Sequence, residues 1–292
     1  MFANAYKIVK HFTHPVIISR RFFDKTVECE CGAFIVINDE GWIITVNHLF
    51  ESFFVFQAHA QEISGYYEKV RSIQEDERLD AKRKRKKVGQ IKVNPKWITN
   101  YSFWWGCDGV QLQDLKRIPE GDLAIGRLEP FDSKAISVYP VLKDPKDINP
   151  GTSLCKIGYP FYQVEATFNE TTNTFGLAPN TLPLPRFPIE GIFTRNIIAE
   201  KSRDARYEIK FLETSSPGLR GQSGGPIFDS KGTVWAVQCR TVHFPLGFNP
   251  KIKKNGHEIE ENQFLNAGIG VHPELLIAFL KDNNVKFMLS DY

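Results

Sequence analysis

Short runs of β-forming residues, each closed by a turn signal, recur along most of this chain and constrain its fold more than any other feature. Such runs occupy 16–19, 32–37, 43–46, 91–93, 123–128, 154–157, 207–212, 226–228 and 233–238. Asn38-Asp39-Glu40-Gly41 and Asp229-Ser230-Lys231-Gly232 separate neighbouring runs and read as hairpin turns. Many short strands with turns rich in Gly, Asn, Asp and Pro predict an all-β chain of antiparallel barrels or sandwiches. Two segments depart from this pattern. From about His59, the apolar residues Ile63, Tyr66, Tyr67, Val70 and Ile73 follow helical spacing and then give way to the charged run EDERLDAKRKRKK, which predicts a helical insertion with a solvated far end. Near the C-terminus, Pro273 suits a first helical turn, and Leu275, Leu276, Phe279 and Leu280 share one face of the helix that follows. The stretch 162–191, rich in Pro, Asn and Thr, reads as a long loop.

Charge excludes a general polyanion-binding surface. The chain has a net charge of +3, yet Lys82, Arg83, Lys84, Arg85, Lys86 and Lys87 alone contribute six positive charges, so the rest is slightly acidic. Any nucleic-acid contact is therefore expected only at 82–87, where a solvated helix end is the plainer reading and no aromatic residues alternate with the cations as stacking platforms. No run approaches the length of a membrane span and no signal-peptide pattern opens the chain, so a cytoplasmic protein without membrane contact is expected. The five cysteines (Cys29, Cys31, Cys107, Cys155 and Cys239) are odd in number and lie mostly within apolar segments, as free thiols of a reducing compartment do. Cys29 and Cys31 lack a second ligand cluster at matching spacing, so no metal and no cofactor is expected.

Three sites carry chemistry. Gly221-Gln222-Ser223-Gly224-Gly225-Pro226 places a serine among glycines, where backbone N–H groups can converge on an oxyanion and no bulky side chain blocks a substrate. His48 follows the apolar run Trp42-Ile43-Ile44-Thr45-Val46, and Asp122 opens the apolar run Leu123-Ala124-Ile125. Each alone is unremarkable: a capped turn, a core histidine, a strand-end carboxylate. In the order His, Asp, Ser, each at a strand end, they read as one constellation.

These segments resemble a trypsin-like serine peptidase of the chymotrypsin fold, closest in texture to bacterial HtrA-like proteases and without a PDZ domain. The resemblance rests on GAFIVINDEGWIITVNHLF, GDLAIGRL, INPGTSLCKIGYPF, GIFTRNI and FLETSSPGLRGQSGGPIFDSKGTVWAVQCRT. It implies a single peptidase domain over 1–292, made of two six-stranded antiparallel β-barrels with the site between them. The first barrel would span about 15–130 with an insertion at about 59–119, the second about 135–272, and a C-terminal helix 273–284. It further implies His48, Asp122 and Ser223 as a catalytic triad and the N–H groups of Gly221 and Ser223 as an oxyanion hole. Pro217 and Gly218 would lie at the S1 pocket, and Gln238, Cys239 and Arg240 on the strand edge that pairs with substrate. Pro217 stands where trypsin has an Asp, so cleavage after Arg or Lys is not expected. Arg240 near the pocket entrance would suit an acidic P1 residue, although an arginine turned to solvent is the more ordinary state.

Gln222 stands where extracellular relatives have the Asp that pairs with a cleaved N-terminus, so activation by that ion pair is not expected. Regulation would run through the loops 162–191 and 215–222, by a protein partner or a substrate. The expected function is an intracellular serine endopeptidase that processes protein substrates. The alternatives are a catalytically silent binding module on the same fold, and a protease localised to nucleic acid or a partner by 82–87.

Overall fold

The computed structural model describes residues 1–254 and 256–291. A short helix α1 (Ala3–Val9) precedes three strands, β1 (Thr13–Phe22), β2 (Val27–Val36) and β3 (Trp42–Thr45). The β2–β3 turn closes as its residues dictate: the Asn38 side-chain oxygen accepts the N–H groups of Glu40 and Trp42, and Gly41 takes φ +82. A 3₁₀ turn (Asn47–Phe50) leads into helices α2 (Glu51–Glu75) and α3 (Ala81–Gly89), and then come β4 (Ile98–Trp104), β5 (Gln111–Ile118) and β6 (Leu123–Glu129). These strands form one curled antiparallel sheet in the order β4-β1-β2-β3-β6-β5. Its inner face buries Val16, Ile18, Phe34, Val36, Ile44 and Ile125.

The second half contributes β7 (Val141–Leu142), β8 (Ser153–Lys156), a small hairpin of β9 (Ala166–Asn169) and β10 (Thr174–Leu177), β11 (Ile189–Lys201), β12 (Glu208–Thr214), β13 (Pro226–Phe228) and β14 (Val234–Pro245). A second hairpin, β15 (Lys251–Lys254) and β16 (His257–Glu260), precedes β17 (Phe264–Val271), helix α4 (Pro273–Asp282) and β18 (Met288–Leu289). Because β13 pairs with both β8 and β14, the strands β13-β8-β11-β12-β17-β14 close into a ring of six, with β7 and β18 outside it. The fold is the two-barrel, chymotrypsin-like one that the sequence resembles. Helix α4 starts at Pro273, is capped by the His272 ring nitrogen, and buries Leu275, Leu276, Phe279 and Leu280. Each such side chain, once out of water, contributes about 1.5–3 kcal/mol. Leu275 and Ile209 of the second half share one continuous core with Ile118 and Leu123 of the first.

The insertion is narrower than expected and starts earlier. Its helices run from Glu51 to Gly89, whereas 98–118, expected to belong to it, supplies β4 and β5 of the first sheet. The run 91–93 forms no strand; it falls between the end of α3 and Pro95, and none of the strand pairings among the described residues includes it. The stretch 162–191 is not all loop, since it folds back as the β9–β10 hairpin. Among the described residues no helix is long and apolar enough to cross a membrane.

Helix α2 has no fully buried residue, and an aromatic seam holds it to the sheet. Phe53 and Phe56 lie 5.6 and 5.8 Å from Tyr101, and Tyr66 packs between Phe23 and Trp97 at 5.8 and 6.1 Å. Ile98 N–H donates to His59 Nδ1 at 2.9 Å. Ile63, Tyr66, Val70 and Ile73 sit half-buried on the docked face, while Tyr67 is 56% exposed. Tyr66→Ala is expected to raise amide exchange across 59–75 several-fold and leave β1 to β3 unchanged, as read by hydrogen-exchange mass spectrometry.

Candidate active site

Strand β3 and the 3₁₀ turn after it deliver His48 to the boundary between the two barrels. Asp122 sits on the turn before β6, with φ +48, a left-handed conformation that Asp tolerates better than most residues. Its carboxylate holds His48 at two points: Oδ1 accepts the His48 backbone N–H at 2.8 Å, and Oδ2 lies 2.8 Å from Nδ1. Nδ1 therefore carries the proton and Nε2 is left to accept one. Burial alone would lower the His48 pKa, but the hydrogen bond and charge of Asp122, helped by Glu51 and Glu30, outweigh it and raise the value above the ordinary 6.5.

Ser223 stands half-exposed in a loop whose glycines are sterically required. Gly224 has φ +84, and a Cβ there would lie 2.0 Å from Ala33 O and 2.4 Å from Thr45 Oγ1. Gly221 has φ +91, and a Cβ there would lie 2.4 Å from Tyr159 O. Both ends of the loop are bonded in place: Gly221 O accepts from Tyr159 N–H, Ser223 O from Ala33 N–H at 2.7 Å, and Gly224 N–H donates to Gln238 O. Gly32 lies between Ser223 O and Leu49, the neighbour of His48, so the serine loop and the histidine turn pack on the same residue. Gln222 is fully buried. Its Oε1 accepts Leu219 N–H and its Nε2 donates to Phe187 O, so a neutral amide ties the loop together from within.

The residues expected to contact substrate fall on two facing segments. Gly218 lies against the Gln238 amide, and Gly218 O accepts from Thr241 Oγ1 at 2.6 Å. Gln238 and Cys239 are buried, the Cys239 thiol donating to Ile269 O at 3.1 Å, and both backbone groups of Gln238 are already bonded to the serine loop, its N–H to Gly225 O and its carbonyl to Gly224 N–H. Arg240 is exposed, with its guanidinium 4.6 Å over the Phe211 ring. Behind Pro217 lies a cation that the sequence did not single out. Lys156 is 1% exposed, and its Nζ donates to Thr214 Oγ1 (2.9 Å), Ser216 O (2.5 Å) and Pro217 O (3.0 Å). Burial pulls its pKa down to about 7. Its only sequence signal is a charged residue inside the apolar run Leu154-Cys155-Lys156-Ile157. Among the described residues no group of three or more His, Cys, Asp or Glu could hold a metal ion, and burial pushes the Cys31 thiol up to about 12.

Comparison with known proteins gives the family. The family described as "Trypsin-like peptidase domain" matches residues 32–237. No curated protein matches the chain. Among solved structures, the HtrA-type protease AlgW with a tripeptide superposes with a TM-score of 0.51 at 15% identity, covering 97% of this chain. This chain spans 63% of that protein's length. The Rv3671c protease from M. tuberculosis, in its active form, gives a TM-score of 0.48 at 12% identity, covering 98% of this chain and 86% of its own.

Lys156 gives the site a pH signature. Its folded value of about 7 lies below the ordinary 10.5, so between these pH values the unfolded chain binds the extra proton and stability rises with pH. His48, raised above 6.5, acts in the opposite sense nearer neutrality, and the buried thiols, raised from the ordinary 9.0, do so only at higher pH. The thermal midpoint of the wild type is expected to gain on that of Lys156→Met as the pH is raised from 7 to about 8.5, since the variant keeps His48 and lacks only the Lys156 contribution.

Proposed function

Because the chain belongs to the trypsin-like peptidase domain family, we propose that it is a serine endopeptidase that cuts protein substrates with His48, Asp122 and Ser223 as its triad. The two-point hold of Asp122 on His48, beside the glycine-lined loop of Ser223, carries this reading. Ser223 Oγ attacks the scissile carbonyl carbon while His48 Nε2 takes its proton. The new C–O bond creates a tetrahedral oxyanion facing the N–H groups of Gly221 and Ser223. As the C–N bond breaks, His48 returns the proton to the departing amine and leaves an acyl-enzyme. Water, deprotonated by His48, then releases the acid and restores Ser223. Asp122 stays ionised throughout, fixing the tautomer and stabilising the imidazolium.

Gln238 spends its own backbone groups on the serine loop, so substrate backbone pairs with the edge that follows it, at Cys239 and Arg240, and P1 is read between Pro217, Gly218 and that strand. Thr241 and Gln238 narrow this space, and Arg240 rests on Phe211, so we place no acidic-P1 requirement on Arg240. Five free cysteines support work in a reducing compartment such as the cytoplasm. Helix α3 presents the cations from Lys82 to Lys87, with Lys82, Arg83, Arg85, Lys86 and Lys87 exposed, as a surface for a regulatory protein partner or a polyanion.

A fluorophosphonate probe is expected to label the wild type and not Ser223→Ala; an unlabelled wild type would favour the silent binding module instead. The activity is expected to rise with pH through a value above 6.5, where His48 becomes neutral. Asp122→Asn is expected to lower kcat by about 10⁴-fold and to move that transition down.

A further inference from the structure

Phe161 is a large apolar residue in a conformation and an exposure that the fold does not explain. It has φ +62, where a bulky side chain is a genuine outlier, and it is 80% exposed. Its ring meets Phe187, itself 41% exposed, edge to face at 5.3 Å and 87°. Glycine would satisfy that backbone without strain, so core packing does not account for a phenylalanine there. Strain held at a site's edge points to use.

The pair stands directly beside the serine loop. Phe187 N–H donates to Gly158 O at 3.0 Å, and Gln222 Nε2 donates to Phe187 O at 3.2 Å. Two residues before Phe161, Tyr159 N–H donates to Gly221 O at 2.8 Å. The base beneath is firm: Tyr159 is 2% exposed, donates its hydroxyl to Thr13 O and packs against Ile17, Ala33 and Leu184. The other flank of the loop, at Gly224 and Gly225, is bonded to Gln238 of β14. An extended peptide that lies on β14 with its acyl half must cross Ser223 and leave over Gly221, toward Phe161 and Phe187.

We infer that Phe161 and Phe187 form an apolar subsite for the leaving half of the substrate, selecting an aromatic or large aliphatic residue among the first three positions after the scissile bond. The inference rests on the peptidase reading and adds the specificity of its departing side. Two rings meeting edge to face offer a notch that a third apolar side chain completes, removing three exposed apolar surfaces from water together.

The test uses internally quenched peptides that share one acyl half, taken from a site the wild type cleaves, with Phe, Leu, Ser or Asp placed in turn at P1′, P2′ and P3′. A nitrophenyl ester of the same acyl half has no residue beyond the scissile bond and serves as the internal reference. The wild type is expected to favour Phe or Leu over Ser by about tenfold in kcat/KM at one of these positions, the low end for a partly open apolar subsite. In Phe161→Gly, which relieves the φ strain, the thermal midpoint is expected not to fall, while the preference shrinks toward unity and peptide turnover drops relative to ester turnover. An unchanged preference in Phe161→Gly and in Phe187→Ser, or none in the wild type, would overturn the subsite while ester hydrolysis leaves the peptidase reading standing. Absence of ester hydrolysis by the wild type would remove the peptidase reading and this subsite with it.

Discussion

The placement of Ser223 depends on a backbone interlock between the two barrels. Ala33 of β2 donates its N–H to Ser223 O, and the Ala33 carbonyl accepts from Thr45 Oγ1 of β3 while leaving room only for a hydrogen at Gly224. On the far side, Gly224 N–H and Gly225 O bond to Gln238 of β14. The serine loop is thus threaded between a strand of each barrel. Thr45, which closes the first-barrel side, stands three residues before His48, so the contact that seats Ser223 also seats the turn that presents His48. Any Cβ at position 224 would push against Ala33 and Thr45 together, displacing both partners of the site at once.

Around that interlock the charges are disposed unequally. His48 has its compensating carboxylate in contact, which is why its protonated form gains despite burial. Lys156 has hydrogen-bond acceptors, two of them main-chain carbonyls, but burial still moves its pKa toward neutrality. Those carbonyls belong to Ser216 and Pro217, on the segment that enters the serine loop. The loop's inner anchor, Gln222, is neutral and bonded to Leu219 and Phe187. The loop is therefore held by dipoles and one desolvated amine, a set of contacts whose strength responds little to salt because no exposed ion pair is among them.

How much of this was legible in the sequence follows from where backbone geometry dictates residue type. The glycines around Ser223 stand out because no other residue fits their φ and contacts, and the β2–β3 turn because Asn38 and Gly41 each do a job that few residues can do. Lys156 was not legible, since the facing of a four-residue strand is decided by ring closure, here through pairing with Ile189 and Ile227. The run 91–93 alternates like a strand, yet none of the strand pairings among the described residues includes it. Phe161 and Phe187 are 26 residues apart and meet only because the intervening segment returns to the serine loop, a tertiary event that local pattern does not encode.

The helical insertion belongs to the site's framework more than its exposed surface suggests. Helix α2 begins at Glu51, immediately after the 3₁₀ turn that contains His48, with no linker between them. Arg117 of β5 fastens this junction from both sides: its Nη1 donates to Asn47 Oδ1 at 3.0 Å, and its guanidinium lies 4.1 Å over the Phe54 ring. Between these two contacts, in the first turn of α2, Ser52 and Tyr101 share a hydrogen bond at 2.9 Å. Phe103 continues the brace: its ring lies 5.3 Å from that of Phe50 in the turn and 6.2 Å from that of Phe53 in the helix, so one ring of the sheet packs against both the helix and the turn that presents His48.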